Sequence, residues 1–115
     1  MYKIETIFSK EIDRDVNLYI YTKSYNNLRT YPVLYLHDGQ NLFSEETSSY
    51  GHFWHIIESF DTFKLPEVIV VGVDCAPGYG KLDEYNPYLN HNAKKYLLDV
   101  VGETIGGNGD IYLVT

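Results

Sequence analysis

YPVLYLHDGQNLF, residues Tyr31–Phe43, is the stretch on which the fold turns. Its first half is a short, nearly continuous apolar run that stops abruptly at His37-Asp38-Gly39, too short for a buried helix and without helical spacing. Such a run predicts a strand buried on both faces. A second run of the same kind, Val68-Ile69-Val70-Val71-Gly72-Val73, stops at Asp74 and gives way to a loop with Pro77, Gly78 and Gly80. Between the two, Phe53, Trp54, Ile56, Ile57 and Phe60 recur at three- and four-residue spacing, which places them on one helical face, and Pro66 breaks the pattern. Strand, helix, strand implies a right-handed crossover and a parallel sheet covered by helices. Ligand sites on such sheets lie beyond the carboxyl ends of the strands, here His37 to Phe43 and Asp74 to Asn86.

Outward from this unit the signals are simpler. Tyr2 to Ile7 and Val16 to Tyr21 are rich in β-branched and aromatic residues, and the polar Lys10 to Asp15 between them suits the turn of an antiparallel pair. Downstream, a helical turn is expected through Ala93 to Val101, then a loop at Gly106 to Asp110 and a last apolar run, Ile111 to Thr115. The fold class is α/β, with antiparallel first strands followed by a β-α-β parallel unit, in a single domain over residues 1–115.

Composition narrows the function. With 115 residues and a formal net charge of −7, the chain would repel a phosphate backbone, and its nine Lys and Arg residues are scattered, so nucleic acid is not an expected partner. The acidic residues of Glu11 to Asp15 and Ser44 to Thr47 read as solvated turns. No stretch approaches the roughly 18 apolar residues of a membrane span, so no membrane partner is expected. Cys75 is the single cysteine, expected as a buried, inert thiol, and with no disulfide to form, the cytoplasm is the expected compartment.

Most motifs that carry chemistry are missing, among them the Gly-x-Ser-x-Gly elbow, phosphate-cradling glycine loops, paired cysteines and a His-Glu-x-x-His helix, so neither a cofactor nor a metal is expected. His52 and His55 are three apart but have no second ligand cluster, and read as helix-surface histidines. Gly106 to Asp110 has the look of one calcium-binding glycine repeat with its aspartate a place early, and reads as a plain loop. Asp83 and Glu84 are adjacent on a segment read as extended, where neighbouring side chains point to opposite sides, so Glu84 is taken as structural, paired with Lys81 or Arg29. At Leu36 to Phe43 two readings stand side by side: a strand-to-helix turn with Gly39 supplying φ > 0 and Asp38 bonding nearby amides, or a site.

Tyr31 to Phe43 resembles the Putative esterase family of α/β-hydrolases, the esterase D-like group. PEVIVVGVD at Pro66–Asp74 is similar to that family's next strand, KLDEYNP at Lys81–Pro87 to its basic-x-Asp-Glu-Tyr-x-Pro segment, and GGNGDIYL at Gly106–Leu113 to the glycine-rich loop before its nucleophile strand. Lys81 departs from the arginine common there, as does the terminal Leu113-Val114-Thr115 from an amphipathic helix. The resemblance implies cleavage of carboxylic esters by a Ser-His-Asp or Ser-His-Glu triad, with part of the oxyanion hole in the loop after the third strand. By that alignment the backbone N–H of Gln40 is the oxyanion donor, Asp38 lines the acyl or alcohol side of the pocket, and Gly39 lets the backbone approach the substrate closely.

The family's triad residues all follow the Gly106–Leu113 motif. None of His37, His52, His55 or His91 matches its histidine, none of the six serines lies in an elbow, and no catalytic residue is carried over. The chain is therefore expected to be the N-terminal part of an α/β-hydrolase sheet, incomplete without the nucleophile strand and inactive alone, with Val33 to Leu36 as an open edge prone to self-association. Alternatives are one half of a split esterase, taking a small ester only when a second chain completes it, and a non-enzymatic ligand-binding module, which twelve tyrosines encourage.

Overall fold

The computed structural model describes residues 2–77 and 80–85, without the side chains of residues 81 and 83. The helical turn expected at Ala93 to Val101, the loop at Gly106 to Asp110, the run Ile111 to Thr115 and the Asn86-Pro87 end of KLDEYNP lie outside the described residues. The described chain runs β1 (Tyr2–Ser9), β2 (Arg14–Thr22), β3 (Val33–His37), a 3-10 turn (Gly39–Asn41), α1 (Ile56–Phe63), β4 (Ile69–Val73) and α2 (Gly80–Tyr85). The chain gathers into two compact units, Met1–Ile7 with Val16–Asp74, and Phe8–Asp15 with Cys75–Thr115.

In the first unit the strands lie in one mixed sheet, in the order β1-β2-β4-β3. β4 pairs with β2 antiparallel, from Leu18 opposite Val73 to Thr22 opposite Ile69. It pairs with β3 parallel, from Val33 opposite Ile69 to His37 opposite Val73. This is an α/β fold with an antiparallel pair and a β3-α1-β4 parallel unit, as the apolar runs imply. Period-two alternation puts Tyr19 and Tyr21 of β2 on the same face as Gly72 and Val70 of β4. That face is the buried one. Tyr19, Tyr21, Leu42, Phe43, Phe60 and Val70 form its core, with Tyr2, Leu36, Ile56, Ile57 and Val68 packed against it. Phe43, just past the 3-10 turn, stacks on Tyr2 at 4.9 Å between ring centroids and tilts against Tyr21 at 6.1 Å. Tyr21 also meets Phe60 of α1 at 6.0 Å. Contacts of this kind add roughly 0.5–1.5 kcal/mol each beyond area burial.

Two expectations are corrected here. Val33 to Leu36 was expected to be buried on both faces, yet Val33, Leu34 and Tyr35 are exposed, Tyr35 at 71%. The reason is position: β3 is the last strand in the order, and only Leu36 reaches the core. The apolar spacing also predicts a helix from Phe53, but α1 starts at Ile56. Trp54 is held outside it because its N–H donates to the Asn41 carbonyl at 2.9 Å, and His55 then turns the chain through a left-handed conformation, φ 53°. Ile56, Ile57 and Phe60 remain the buried face of a shorter helix, which ends where Lys64 takes φ 51° two residues before Pro66. Among the described residues no helix is long and apolar enough to cross a membrane.

The second unit holds the turn between β1 and β2 together with the segment after β4. Its organising contact is a fork: Arg14 Nε donates to Glu84 Oε2 at 2.7 Å and Arg14 Nη2 to Glu84 Oε1 at 2.9 Å. The Ala76 N–H donates to the same Oε1 at 2.9 Å, and Arg14 Nη1 to the Asp15 carbonyl at 2.7 Å. Glu84 is buried at 5% exposure, so this planar bidentate geometry is what makes its charge tolerable there. The sequence reading of a structural Glu84 therefore changes partner, from Lys81 or Arg29 to Arg14. Arg29 instead binds Glu67 at 3.2 Å and lies over the Tyr31 ring. It also changes geometry, since Gly80–Tyr85 is helical rather than extended. The Asp83 side chain lies outside those described. Cys75 is half-buried rather than buried.

Candidate functional site

The parallel strands β3 and β4 end side by side at His37 and Val73, and the chain leaving β3 turns at once onto the end of β4. Asp38 makes that turn in the left-handed conformation, φ 53° and ψ 46°, and Gly39–Asn41 form one 3-10 turn. Asp38 is among the few residue types that tolerate this region. Positive φ was expected at Gly39; it falls at Asp38, and the need for glycine at 39 is different. A Cβ on Gly39 would lie 2.5 Å from the Gly72 carbonyl carbon, 2.6 Å from its oxygen and 2.9 Å from the Val73 nitrogen. One on Gly72 would meet the Gly39 Cα at 2.8 Å and Leu42 Cδ1 at 2.6 Å. The turn thus seats backbone to backbone on β4 through a glycine pair.

The internal bonds of the turn begin late, as they must in a 3-10 geometry: Asn41 N–H donates to the Asp38 carbonyl at 2.8 Å, and Leu42 N–H to the Gly39 carbonyl at 3.3 Å. The Asp38 side chain does not cap the turn, and the acceptor there is the Asp38 carbonyl. The Gln40 carbonyl accepts from Thr47 Oγ1 at 2.8 Å, which fixes the plane of the following peptide. Gln40 and Asp38 are half-buried, His37 is exposed and Gly39 is buried.

Asn41 does the remaining positioning. Its side-chain oxygen accepts the Ser49 N–H at 2.8 Å and its main-chain oxygen the Trp54 N–H at 2.9 Å, so one residue clasps both ends of the loop 49–54. That loop carries Tyr50, His52, Phe53 and Trp54. His52 precedes α1 and His55 is its N-cap residue, so the two do not share a helical face as the spacing suggested. The His55 ring lies against Phe53, 3.8 Å between centroids. At the end of β4, Asp74 is buried and its N–H donates to the Asn17 carbonyl at 3.1 Å. Burial first, then the negative charge of Asp74 and charge repulsion from the Tyr2 hydroxyl, push the Tyr19 hydroxyl above the ordinary tyrosine value of 10.0.

Sequence reasoning found Asp38, Gly39 and Gln40, and the structure brings all three to the carboxyl end of the parallel pair. It missed Asn41, Thr47 and Gly72. Gly72 had a signal, as the one residue in its run that is not β-branched; nothing marked Asn41 or Thr47.

The profile of the family described as Putative esterase matches residues 9–101. Among solved structures, the fold is similar to an IroE-like serine hydrolase from Shewanella oneidensis, with a TM-score of 0.66 and 20% identity over 98% of this chain and 34% of that one. It is also similar to the BES protein from Bacillus cereus, TM-score 0.67 and 18% identity over 98% of this chain and 43% of that one. The enterobactin esterase FES from Shigella flexneri, solved with enterobactin, matches with a TM-score of 0.56 and 17% identity, over 85% of this chain and 25% of that one. At these identities the likeness is one of fold, and the chain spans less than half the length of each. No curated protein matches the chain.

Proposed function

The chain belongs to the Putative esterase family, and from that premise we propose that it supplies the oxyanion-hole loop and the leading strands of a serine carboxylic-ester hydrolase. In such an enzyme a serine attacks the ester carbonyl, a histidine carries the proton from serine to the leaving alcohol, and backbone N–H groups hold the negative oxygen of the tetrahedral intermediate. The Gln40 N–H is the donor this chain contributes, Asp38 lines the acyl or alcohol side of the pocket, and Gly39 lets the protein backbone approach the substrate closely. The observation that carries the reading is the seat of the 3-10 turn: the Gly39–Gly72 contact holds the peptide that bears the Gln40 N–H at the end of β3, and the Thr47 bond holds the peptide after it, in the loop where this superfamily places its first oxyanion donor. A preset donor is what such a site requires, since it costs no reorganisation as charge develops.

On this reading no triad residue is assigned in this chain: none of the six serines lies in a Gly-x-Ser-x-Gly turn, and the family's histidine and acid follow its nucleophile strand. The test is hydrolysis of p-nitrophenyl acetate, with labelling by a serine-directed fluorophosphonate, for the purified chain and for the chain coexpressed with a polypeptide carrying an elbow. The chain alone should neither turn over nor label, and the pair should do both. Within the active pair Gln40→Ala should keep kcat within about threefold, because a backbone donor does not depend on the side chain, whereas loss of a true oxyanion donor costs about 10²–10³ in kcat. Stoichiometric labelling of the isolated chain, or collapse of activity in Gln40→Ala, would overturn this assignment.

A further inference from the structure

Ser44 to Thr47 reads in sequence as a solvated acidic turn, and its two carboxylates, Glu45 and Glu46, are exposed. The hydroxyl residues that flank them turn inward instead, and both are half-buried. Tyr2 OH lies 3.2 Å from Ser44 Oγ, Ser44 Oγ lies 3.3 Å from Thr47 Oγ1, and Thr47 Oγ1 donates to the Gln40 carbonyl at 2.8 Å. Three hydroxyls thus connect β1 to the peptide that follows the candidate donor. Their direction comes from counting protons, since each hydroxyl has a single hydrogen to give. Thr47 gives its hydrogen to the Gln40 carbonyl, which is nearer than the Ser44 carbonyl at 3.3 Å. Ser44 must then donate to Thr47, and Tyr2 to Ser44. Bonds aligned head to tail in this way polarise one another, by roughly 10–30% per bond. The two upstream contacts are long for hydroxyl pairs, so their share falls at the lower end of that range.

We propose that Tyr2, Ser44 and Thr47 are positioning residues for the candidate oxyanion donor, acting as one directed hydroxyl chain on the Gln40 carbonyl. This rests on the reading of the Gly39–Asn41 turn as an ester site. The peptide between Gln40 and Asn41 is bonded at both polar ends, its N–H to the Asp38 carbonyl at 2.8 Å and its oxygen to Thr47. The peptide before it, which bears the Gln40 N–H, is held by the packing of Gly39 on Gly72. Gln40 therefore sits between two fixed planes, and swinging its N–H requires one of them to turn. The far end of the chain is anchored as well, because the Tyr2 ring stacks on Phe43 at 4.9 Å and tilts against Tyr19 at 6.3 Å. Its hydroxyl is aimed by these ring contacts and not by the turn it serves. A donor fixed before the reaction begins is what an oxyanion site needs.

The carbonyl on which the hydroxyls converge reports on them by NMR in the chain alone. The Gln40 carbonyl carbon resonance, with the Asn41 amide nitrogen beside it, should move upfield when the hydroxyl is lost in Thr47→Val and return in Thr47→Ser. Ser44→Ala, one bond removed from the turn, should move it the same way by about 10% of that amount, and Tyr2→Phe, which keeps the stacked ring, by less. Tyr2→Phe added to Ser44→Ala should move it no further, because the path is already cut. In the active coexpressed pair, with p-nitrophenyl acetate, Thr47→Val should lower kcat about tenfold, part of the ~10²–10³ lost with a whole donor, while KM stays within about twofold and Thr47→Ser restores the rate. If Ser44→Ala and Tyr2→Phe leave the Gln40 carbonyl resonance in place, or Tyr2→Phe moves it equally with and without Ser44, the directed chain is refuted. If an active pair keeps its kcat in Thr47→Val, the positioning role is refuted and the ester site stands. A wild-type pair without turnover overturns the ester reading, and the positioning role with it.

Discussion

Replacing Gly39 by alanine should destabilise the chain, and the structure says by how much and why. The usual objection to a side chain at a turn glycine, a positive φ, does not apply, because the left-handed residue is Asp38. The cost is steric only: the new methyl group would stand 2.5 Å from the Gly72 carbonyl carbon and 2.6 Å from its oxygen, and neither is the end of a flexible side chain. The turn and β4 must therefore part. Overpacking of this kind costs roughly 1–3 kcal/mol, while reduced freedom of the unfolded chain returns about 0.4–1 kcal/mol. The net loss is about 1–2 kcal/mol, which with a urea slope of roughly 1–3 kcal/mol/M lowers the midpoint by about 1 M. Urea titration followed by far-ultraviolet circular dichroism reads it directly. Gly72→Ala opens the same seam, so the double variant should be less damaged than the sum of the two, by about 0.5–1 kcal/mol. Gly51→Ala is the contrasting case, with φ 73° and nothing within 4 Å, costing roughly 1–2 kcal/mol from backbone strain and showing no coupling to position 72. An unchanged midpoint for Gly39→Ala, or full additivity with Gly72→Ala, would refute the glycine seat.

Arg14→Met should cost about 3–5 kcal/mol by leaving the buried Glu84 carboxylate unpaired, and Arg14→Met with Glu84→Leu should recover much of that loss in the same denaturation assay, the sign expected of a paired buried charge. Tyr19 and Tyr21 should ionise above the ordinary tyrosine value of 10.0 in a titration of absorbance at 295 nm, read as the part of the transition lost in Tyr19→Phe and Tyr21→Phe, since burial leads the causes that raise both. Their folded-state pKa exceeds the unfolded one, so the stability they contribute is complete below pH 10 and is lost as pH climbs through the folded value; Tyr19→Phe should flatten that alkaline decline. Tyr35→Lys, on the exposed edge strand β3, should lower self-association in sedimentation velocity, and a wild-type chain that sediments as a monomer at all concentrations would contradict the expectation of a sticky edge.

The parts of this fold that were legible in sequence are those set by local chemistry. Apolar runs with sharp stops marked β3 and β4, and enrichment in β-branched and aromatic residues marked β1 and β2, because a pleated, half-buried surface favours those side chains. The start of α1 was not legible. Phe53 and Trp54 continue its spacing, and what excludes them is a carbonyl thirteen residues earlier, at Asn41. Burial of β3 was misread for a related reason: an apolar run reports what a strand can bury, while its rank in the sheet decides what it does bury. The partner of Glu84 lies 70 residues away, beyond the reach of any spacing argument. Within the candidate site, Asp38, Gly39 and Gln40 were marked by the abrupt end of the strand, but which of them carries the positive φ was not, because aspartate and glycine both allow it.

The glycine pair also acts as a check on strand register. Gly72 is the only residue of β4 without a side chain, and it stands opposite Leu36, three residues before Gly39. Slide β3 along β4 by one residue and the turn meets the branched side chain of Val71 or Val73; slide it by two in one direction and it meets Val70. Only one alignment lets the turn close. A misregistered sheet leaves its loop undocked, so that correct strand pairing and an assembled loop become a single event in folding.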